Sequence, residues 1–181
     1  LDVIRTYPDC FKVVGLAARR SIDLLERQTE EFRPRLVWCE EKNQDIERLI
    51  AYGSTECPIE TMVADPDVDL VVTATVGDVA LKPTLDAIES GKDIALGNKE
   101  SVVMAGEKLT SYARQHGVSI LPVDSEPNAI WQCMRGEEKE VSKLIITASG
   151  GAFRNAKLSE LATVTPEQAL RHPNWTMGPK I

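Results

Sequence analysis

Short apolar runs alternate with amphipathic stretches along most of the chain. Phe11 to Ala18 (FKVVGLAA) is a valine-rich run that predicts a strand. Ser21 to Phe32 (SIDLLERQTEEF) groups Ile22, Leu24 and Leu25 on one face behind a serine suited to the N-cap, and predicts a helix. Arg35 to Glu40 (RLVWCE) predicts the next strand, and Lys42 to Gly53 (KNQDIERLIAYG) the next helix, ended by its glycine. Asp69 to Gly77 (DLVVTATVG) is almost continuously β-branched, as expected of a strand covered on both faces. Leu81 to Ser90 then predicts a helix, Asp93 to Gly97 a strand, Ser101 to His116 a longer helix and Val118 to Val123 a closing strand.

Strands and helices alternating at this spacing imply right-handed βαβ crossovers and a mostly parallel sheet, hence an α/β fold of Rossmann-like type. Ligands of such sheets lie at the carboxyl ends of the strands. That edge would carry Ala17-Ala18-Arg19-Arg20, Thr75-Val76-Gly77, Gly97-Asn98-Lys99-Glu100 and Asp124-Ser125-Glu126. After Val123 the pattern changes: Lys143 to Phe153 (KLIITASGGAF) predicts one strand entering a glycine-rich loop, followed by a polar, proline-containing segment. A boundary near residue 124 is expected, giving domains 1–123 and 124–181. The opening LDVIRTYP reads as the last turns of a helix and GPKI carries no stop signal, so a fragment is expected.

Composition narrows the function. Hydrophobic residues at 43% and charged residues at 27% are globular values, and aromatics at 5% leave the core to Val, Ile, Leu and Ala. A net charge of −7 and a pI near 5.0 supply no basic field for a nucleic acid backbone, although local cations and backbone N–H groups suffice for one small anion. No apolar run reaches membrane-spanning length. The scattered cysteines Cys10, Cys39, Cys57 and Cys133 suit reduced thiols in a cytosol-like compartment.

Several clusters can carry chemistry, each beside a plainer reading. Arg19-Arg20-Ser21 follows a strand where NAD enzymes place an acid. Basic residues there suit the 2′-phosphate of NADP, and the plain alternative is a solvated strand end. The chain contains no GxGxxG loop. Asn98-Lys99-Glu100 combines an amide, a cation able to meet a substrate oxygen, and an acid suited to a helix start. Asp124 and Glu126, two apart, converge if the chain is extended, and their oxygens suit Mg²⁺ or Mn²⁺. Acids just before Pro127 also suit a helix start, and spacing alone favours that reading. Ser149-Gly150-Gly151 offers a hydroxyl and open N–H groups for an anion, or an ordinary turn. Arg171 to Gly178 (RHPNWTMG) is either a lid carrying His172 and Trp175 or a surface loop.

Taken together, ALGNKES, LPVDSEPNAIWQ, ITASGGAF and ATVTPEQALRHPNWTMGPKI resemble the 1-deoxy-D-xylulose 5-phosphate reductoisomerase family over almost the whole chain. The resemblance implies a truncated NADPH-binding domain followed by the start of an α+β catalytic domain. It implies a metal held by Asp124 and Glu126, with a third carboxylate beyond Ile181. Ser125, Lys99 and Glu126 would meet substrate, and Ser149 and His172 would hold it around its phosphate. Asn98, Glu100 and Gly178 would contact the cofactor, with Trp175 and Met177 on the closing loop. Arg19, Arg20 and Ser21 fall at the adenosine end, where the family usually has Gly at the position of Arg19. Catalysis would rest on Asp124, Glu126, Lys99 and His172.

The implied reaction is isomerisation and NADPH-dependent reduction of a phosphorylated ketose, 1-deoxy-D-xylulose 5-phosphate, in non-mevalonate isoprenoid synthesis. The implied setting is a homodimer in a bacterial cytoplasm or plastid stroma, with no nucleic acid or membrane partner. The isolated 181 residues are expected to be inactive. Two other readings compete: an NAD(P)-dependent sugar dehydrogenase with a lysine at a corresponding strand end, and a catalytically inactive ligand-binding module. The first shares the βαβ order but neither the acid pair nor the RHPNW loop. The second has no need for Asp124, Glu126, Lys99 and His172 together.

Overall fold

The computed structural model describes residues 1–41, 46–136, 140–147 and 150–171. Its contacts form two compact units, Leu1–Trp131 and Gln132–Ile181.

In the first unit α1 (Asp2–Thr6) leads to β1 (Gly15–Ala18), α2 (Ile22–Phe32), β2 (Leu36–Cys39), α3 (Ile46–Ile50), β3 (Thr55–Glu56) and α4 (Ile59–Val63). β4 (Leu70–Thr73), α5 (Leu81–Glu89), β5 (Asp93–Leu96), α6 (Lys99–His116), β6 (Ile120–Pro122) and α7 (Ser125–Met134) follow. α7 runs past the end of the unit. The strands form two parallel three-stranded sheets, ordered β1-β2-β3 and β4-β5-β6. The α/β class expected from the alternating pattern is therefore present, with β1 and β4 each an edge of its own sheet.

Each sheet has its own core. Leu25, Val37, Cys39 and Leu49 pack together on the first. Val63, Ala87, Ile88, Ile94, Leu96, Leu109 and Ala113 do so on the second. No aromatic side chain is among these buried residues, as the composition requires. Each fully buried Leu or Ile contributes on the order of 1.5–3 kcal/mol of transfer free energy, so these aliphatic clusters suffice to hold helices on short strands. Cys39 is buried, and all four cysteines are free thiols.

Two expectations are corrected, and one short helix is added to those the pattern predicts. The run from Asp69 to Gly77 is strand only over Leu70–Thr73. It is not covered on both faces: Leu70 and Val72 are exposed while Val71 and Thr73 turn towards the core side. As an edge strand, β4 has helices against one face only. Ile59–Val63, which the pattern reading passed over, is helical, with Glu60 in its first turn after Pro58. Lys143 to Thr147 takes no regular structure, and Leu144, Ile145 and Ile146 are exposed. An apolar β-branched run becomes a strand only where a neighbouring strand supplies its ladder, and none pairs with it among the described residues.

The expected boundary at residue 124 falls at the start of α7, and the first unit continues to Trp131. Asn128 Nδ2 donates to Pro122 O at 2.6 Å, tying the helix to the end of β6. In the second unit α8 (Pro166–Ala169) begins at Thr165, whose hydroxyl accepts from Gln168 N while the Gln168 side chain accepts from Thr165 N. This capping box satisfies two backbone donors that the helix itself leaves over. No helix among the described residues is long and apolar enough to cross a membrane.

Candidate active site

The carboxyl ends of β5 and β6 are neighbours. Leu96 pairs with Pro122 in parallel register, and Val123 N donates to Leu96 O at 2.9 Å. Continuing that register sets Asn98 and Lys99 beside Asp124 and Ser125. Gly97 lies so close to the preceding strand that an added Cβ would meet Thr73 O at 3.2 Å. The loops after β4, β5 and β6 thus leave one edge together.

Lys99, the first residue of α6, reaches across that edge. Its ammonium lies 2.8 Å from Asp124 Oδ2 and 3.8 Å from Glu126 Oε2. The hydrogen bond that the Lys99 ammonium donates to Asp124 holds it above the ordinary lysine range; the charges of Asp124, Glu126 and Glu100 act in the same direction and partial burial opposes them. Asp124 precedes α7 and Glu126 stands in its first turn. The two carboxylates are therefore not alternate residues of an extended chain, as the spacing argument assumed. They start a helix, and both also face the ammonium of Lys99, so a helix start does not prevent their oxygens from converging.

The residues fit a divalent ion on the side of the donor set, since two carboxylates of hard oxygen converge, and the ammonium of Lys99 now faces both of them. No group of three or more possible ligands occurs among the described residues. The pair alone would leave several coordination positions to water and substrate.

Asn98 caps α6. It is 1% exposed; its Nδ2 donates to Thr75 O at 2.6 Å and Gly77 O at 3.0 Å, and its Oδ1 accepts from Ser101 N at 2.8 Å and Ser101 Oγ at 2.6 Å. The helix therefore starts at Lys99 rather than at the expected Ser101. An asparagine directly before the acid-containing turn was the available signal, because Asn is among the best N-caps. Glu100 lies in that turn, half-buried, and Ser125 is exposed at the start of α7.

The second cluster stands on the other sheet. Ala18 pairs with Cys39, and the register continues as Glu40 N donates to Ala18 O and Glu41 N to Arg19 O. It sets Arg19 Nε 2.9 Å from Glu40 Oε2 and Arg20 Nε 2.5 Å from Glu41 Oε1, all four side chains partly exposed. Glu40 and Glu41 were not singled out from the sequence; a pairing set by strand register has no local spacing to announce it. Ser21 is the N-cap of α2, and its side chain makes no capping hydrogen bond. Ser149, His172, Trp175, Met177 and Gly178 lie outside the described residues.

Comparison with known proteins gives a consistent picture. The model of the 1-deoxy-D-xylulose 5-phosphate reductoisomerase family matches residues 1–106, and the model of that family's C-terminal domain matches residues 120–181. A 1-deoxy-D-xylulose 5-phosphate reductoisomerase of Geobacillus sp. (strain WCH70) is 50% identical over 100% of this chain and 49% of its own length. One from Bacillus cereus (strain Q1) is 48% identical with the same coverage. The chain spans about half the length of the curated relatives it matches. Among solved structures, DOX-P reductoisomerase in complex with NADPH, fosmidomycin and magnesium superposes with a TM-score of 0.80 at 32% identity, over 97% of this chain and 48% of that one. The Zymomonas mobilis enzyme in complex with NADPH does so with a TM-score of 0.82 at 37% identity, over 93% and 47%.

Proposed function

Because the chain belongs to the 1-deoxy-D-xylulose 5-phosphate reductoisomerase family, we propose that it forms the cofactor- and metal-facing part of an enzyme that isomerises and reduces 1-deoxy-D-xylulose 5-phosphate to 2-C-methyl-D-erythritol 4-phosphate. The observation that carries this reading is the convergence of Lys99, Asp124 and Glu126 at the carboxyl ends of two parallel strands. Solved relatives at 30% identity or more are described with NADPH and with magnesium.

In this reading Asp124 and Glu126 hold a Mg²⁺ or Mn²⁺ ion, which when bound supplies Lewis acidity to a ketone oxygen and its neighbouring hydroxyl. Lys99 then moves from the carboxylates to a substrate oxygen, where its charge stabilises the oxyanion of the rearrangement. NADPH supplies the hydride that reduces the resulting aldehyde. Arg19 and Arg20 exchange Glu40 and Glu41 for the 2′-phosphate of the cofactor, and Ser21 adds a hydroxyl. Exposed ion pairs of this kind are worth about 0–1 kcal/mol, so the exchange costs little. Glu100 stands at the cofactor side of α6 and Ser125 at the substrate side of α7. The family motif assigns Ser149 and His172 to the substrate, chiefly its phosphate, Gly178 to the cofactor, and Trp175 and Met177 to the closing loop. In this reading the enzyme is a cytoplasmic homodimer, as the family motif implies, and relatives from Bacillus and Geobacillus favour a bacterial over a plastid setting.

The test is NADPH oxidation driven by 1-deoxy-D-xylulose 5-phosphate, in a polypeptide of the relatives' length carrying these residues. Turnover that stops on chelation and returns with Mn²⁺ is the expected result. Turnover indifferent to chelation would favour a metal-free sugar dehydrogenase instead.

A further inference from the structure

Asn98 occupies a place that its polar side chain does not by itself explain. It is buried to 1% exposure between two sheet-end loops and the start of a helix. An asparagine amide has two N–H donors and one carbonyl oxygen with two acceptor sites. Both donors are used, on Thr75 O and Gly77 O, and both acceptor sites are used, by Ser101 N and Ser101 Oγ. Four bonds fill the side chain's capacity. No atom of it is left to meet a ligand.

Its partners show what the arrangement does. Residues 74–77 leave β4 and lead into the short helical turn Asp78–Ala80. Gly77 holds φ +85°, a backbone state that favours glycine, and Val76 is exposed on the outer side of the loop. Two carbonyls of this loop point inward onto one amide. Through Asn98 the loop after β4 is pinned to the first turn of α6, whose first residue is Lys99. One side chain thus fixes the loops of neighbouring strands relative to each other, at the edge where parallel sheets take their ligands.

We propose that Asn98 is a positioning residue: its side chain sets the loop Thr75–Gly77 as a wall of the cofactor site, and position 98 meets the cofactor only through its main chain. The proposal rests on the cofactor reading given under Proposed function. The role requires an amide. Aspartate has the same shape but, ionised, would set a charge against two carbonyls and offer no donor. Serine and alanine are too short to span the gap. Losing Ser101 Oγ removes one donor to Asn98 Oδ1 and leaves both loop bonds in place.

The test compares the wild-type chain with Asn98→Asp, Asn98→Ala and Ser101→Ala. Backbone ¹⁵N order parameters are measured for residues 74–78 and, as an internal reference, for β5. Affinity for NADP⁺ is titrated with the same substitutions in a polypeptide of the relatives' length. In wild type and Ser101→Ala the loop is expected at the rigid level of about 0.85; in both Asn98 variants it is expected to drop towards about 0.6 while β5 stays rigid. NADP⁺ affinity is expected to fall roughly fivefold or more with the loop, within the usual range of coupling between an ordered element and a site. An Asn98 variant with a rigid loop overturns the clamp. So does one in which β5 loosens together with the loop, because Asn98 would then be a general stabiliser. A loosened loop with unchanged NADP⁺ affinity overturns the positioning of the site. If Asn98→Ala folds poorly, Asn98→Asp at higher pH carries the comparison. A wild-type polypeptide of the relatives' length without NADP⁺ affinity would instead overturn the cofactor reading, and the two failures are told apart because the order parameters need no ligand.

Discussion

The ammonium of Lys99 stands 2.8 Å from Asp124 Oδ2, so the first residue of one helix neutralises the residue that precedes another. The parallel register of β5 and β6 brings them together, since Leu96 opposite Pro122 leaves the following residues side by side. A lysine in the first turn works against its own helix dipole. Here the neighbouring carboxylates offset that cost and hold the ammonium above its ordinary range. The same pair of carboxylates is the proposed metal site, so lysine and metal compete for it.

Competition of this kind has a measurable sign. Lys99→Met removes the internal cation, and Mn²⁺ should bind the chain more tightly. The pair is about half exposed on the lysine side, so its worth is about 0.2–1 kcal/mol. The gain is therefore expected at roughly 1.4- to 5-fold in Kd, read by electron paramagnetic resonance of free Mn²⁺. Weaker Mn²⁺ binding in Lys99→Met would show that the lysine assists the ion rather than competing with it.

Asp124→Asn acts on the same site with the opposite sign. It removes a charged oxygen ligand while keeping the shape and the helix start. Mn²⁺ affinity of the chain should fall at least roughly tenfold, and turnover of a polypeptide of the relatives' length on the order of a hundredfold. Near wild-type rates across a Mn²⁺ titration would remove Asp124 from the metal site.

How far the sequence carried the argument differs from element to element. The alternation of apolar runs and amphipathic stretches located most helices and every strand among the described residues except the two-residue Thr55–Glu56, because period 2 and period 3.6 are local properties. What lies against a strand is not local. The run at Leu70–Thr73 reads the same whether one face or both are covered, and only the neighbouring elements leave Leu70 and Val72 exposed. Lys143–Thr147 carries the same β-branched pattern without a ladder. At the site, Asp124 and Glu126 were legible as a pair, but that the residue facing them is Lys99 depends on the register of β5 and β6, which no local spacing encodes. The pairing of Arg19 and Arg20 with Glu40 and Glu41 depends on the register of β1 and β2, which no spacing within either segment encodes.

Two buried threonines on the same unit should respond in opposite directions to the same substitution. Thr73 Oγ1 is buried without a hydrogen-bond partner among the described residues, whereas Thr84 Oγ1 donates to Ala80 O at 2.7 Å. An unsatisfied buried hydroxyl costs about 1–3 kcal/mol, and a made hydrogen bond contributes about 0.5–1.5 kcal/mol net. Thr73→Val should therefore stabilise the chain by about 1 kcal/mol and Thr84→Val destabilise it by about as much, measured by urea unfolding. Destabilisation by Thr73→Val would mean that the hydroxyl has a partner in solution.

The acid limb of stability should carry the signature of Asp65. Arg35 Nη2 lies 2.5 Å from Asp65 Oδ1, which also accepts from Asp67 N at 2.9 Å. The Arg35 hydrogen bond, then that of the Asp67 amide, hold the Asp65 carboxyl below its usual 3.8. A group whose folded pKa is depressed stabilises the fold above its unfolded pKa, and loses that contribution as pH falls through the folded value. Asp65→Asn keeps an oxygen for the Asp67 amide but no charge for Arg35. Its urea midpoint should lie below wild type at pH 7, and the gap should narrow from about pH 4 downward. A gap that stays constant to pH 2 would assign the loss to packing instead.

The cofactor contact proposed for the arginines at the end of β1 predicts which cofactor is preferred. Each already holds a carboxylate, Glu40 for Arg19 and Glu41 for Arg20, through partly exposed contacts that solvent weakens. A phosphate monoester brings nearly two negative charges and several acceptor oxygens, so it should displace both glutamates from a pair of guanidinium groups. An NADH analogue has a 2′-hydroxyl at that point and should leave the glutamates in place. Arg20→Ser should therefore weaken NADP⁺ binding on the order of tenfold, about 1.4 kcal/mol, while NAD⁺ affinity changes little. Glu41→Gln should act in the other direction, tightening NADP⁺ by freeing Arg20 in advance. The effect of both substitutions should shrink at high salt, since the groups are exposed. Equal losses for NADP⁺ and NAD⁺ in Arg20→Ser would place the arginine away from the 2′-phosphate and leave the strand end as solvated surface.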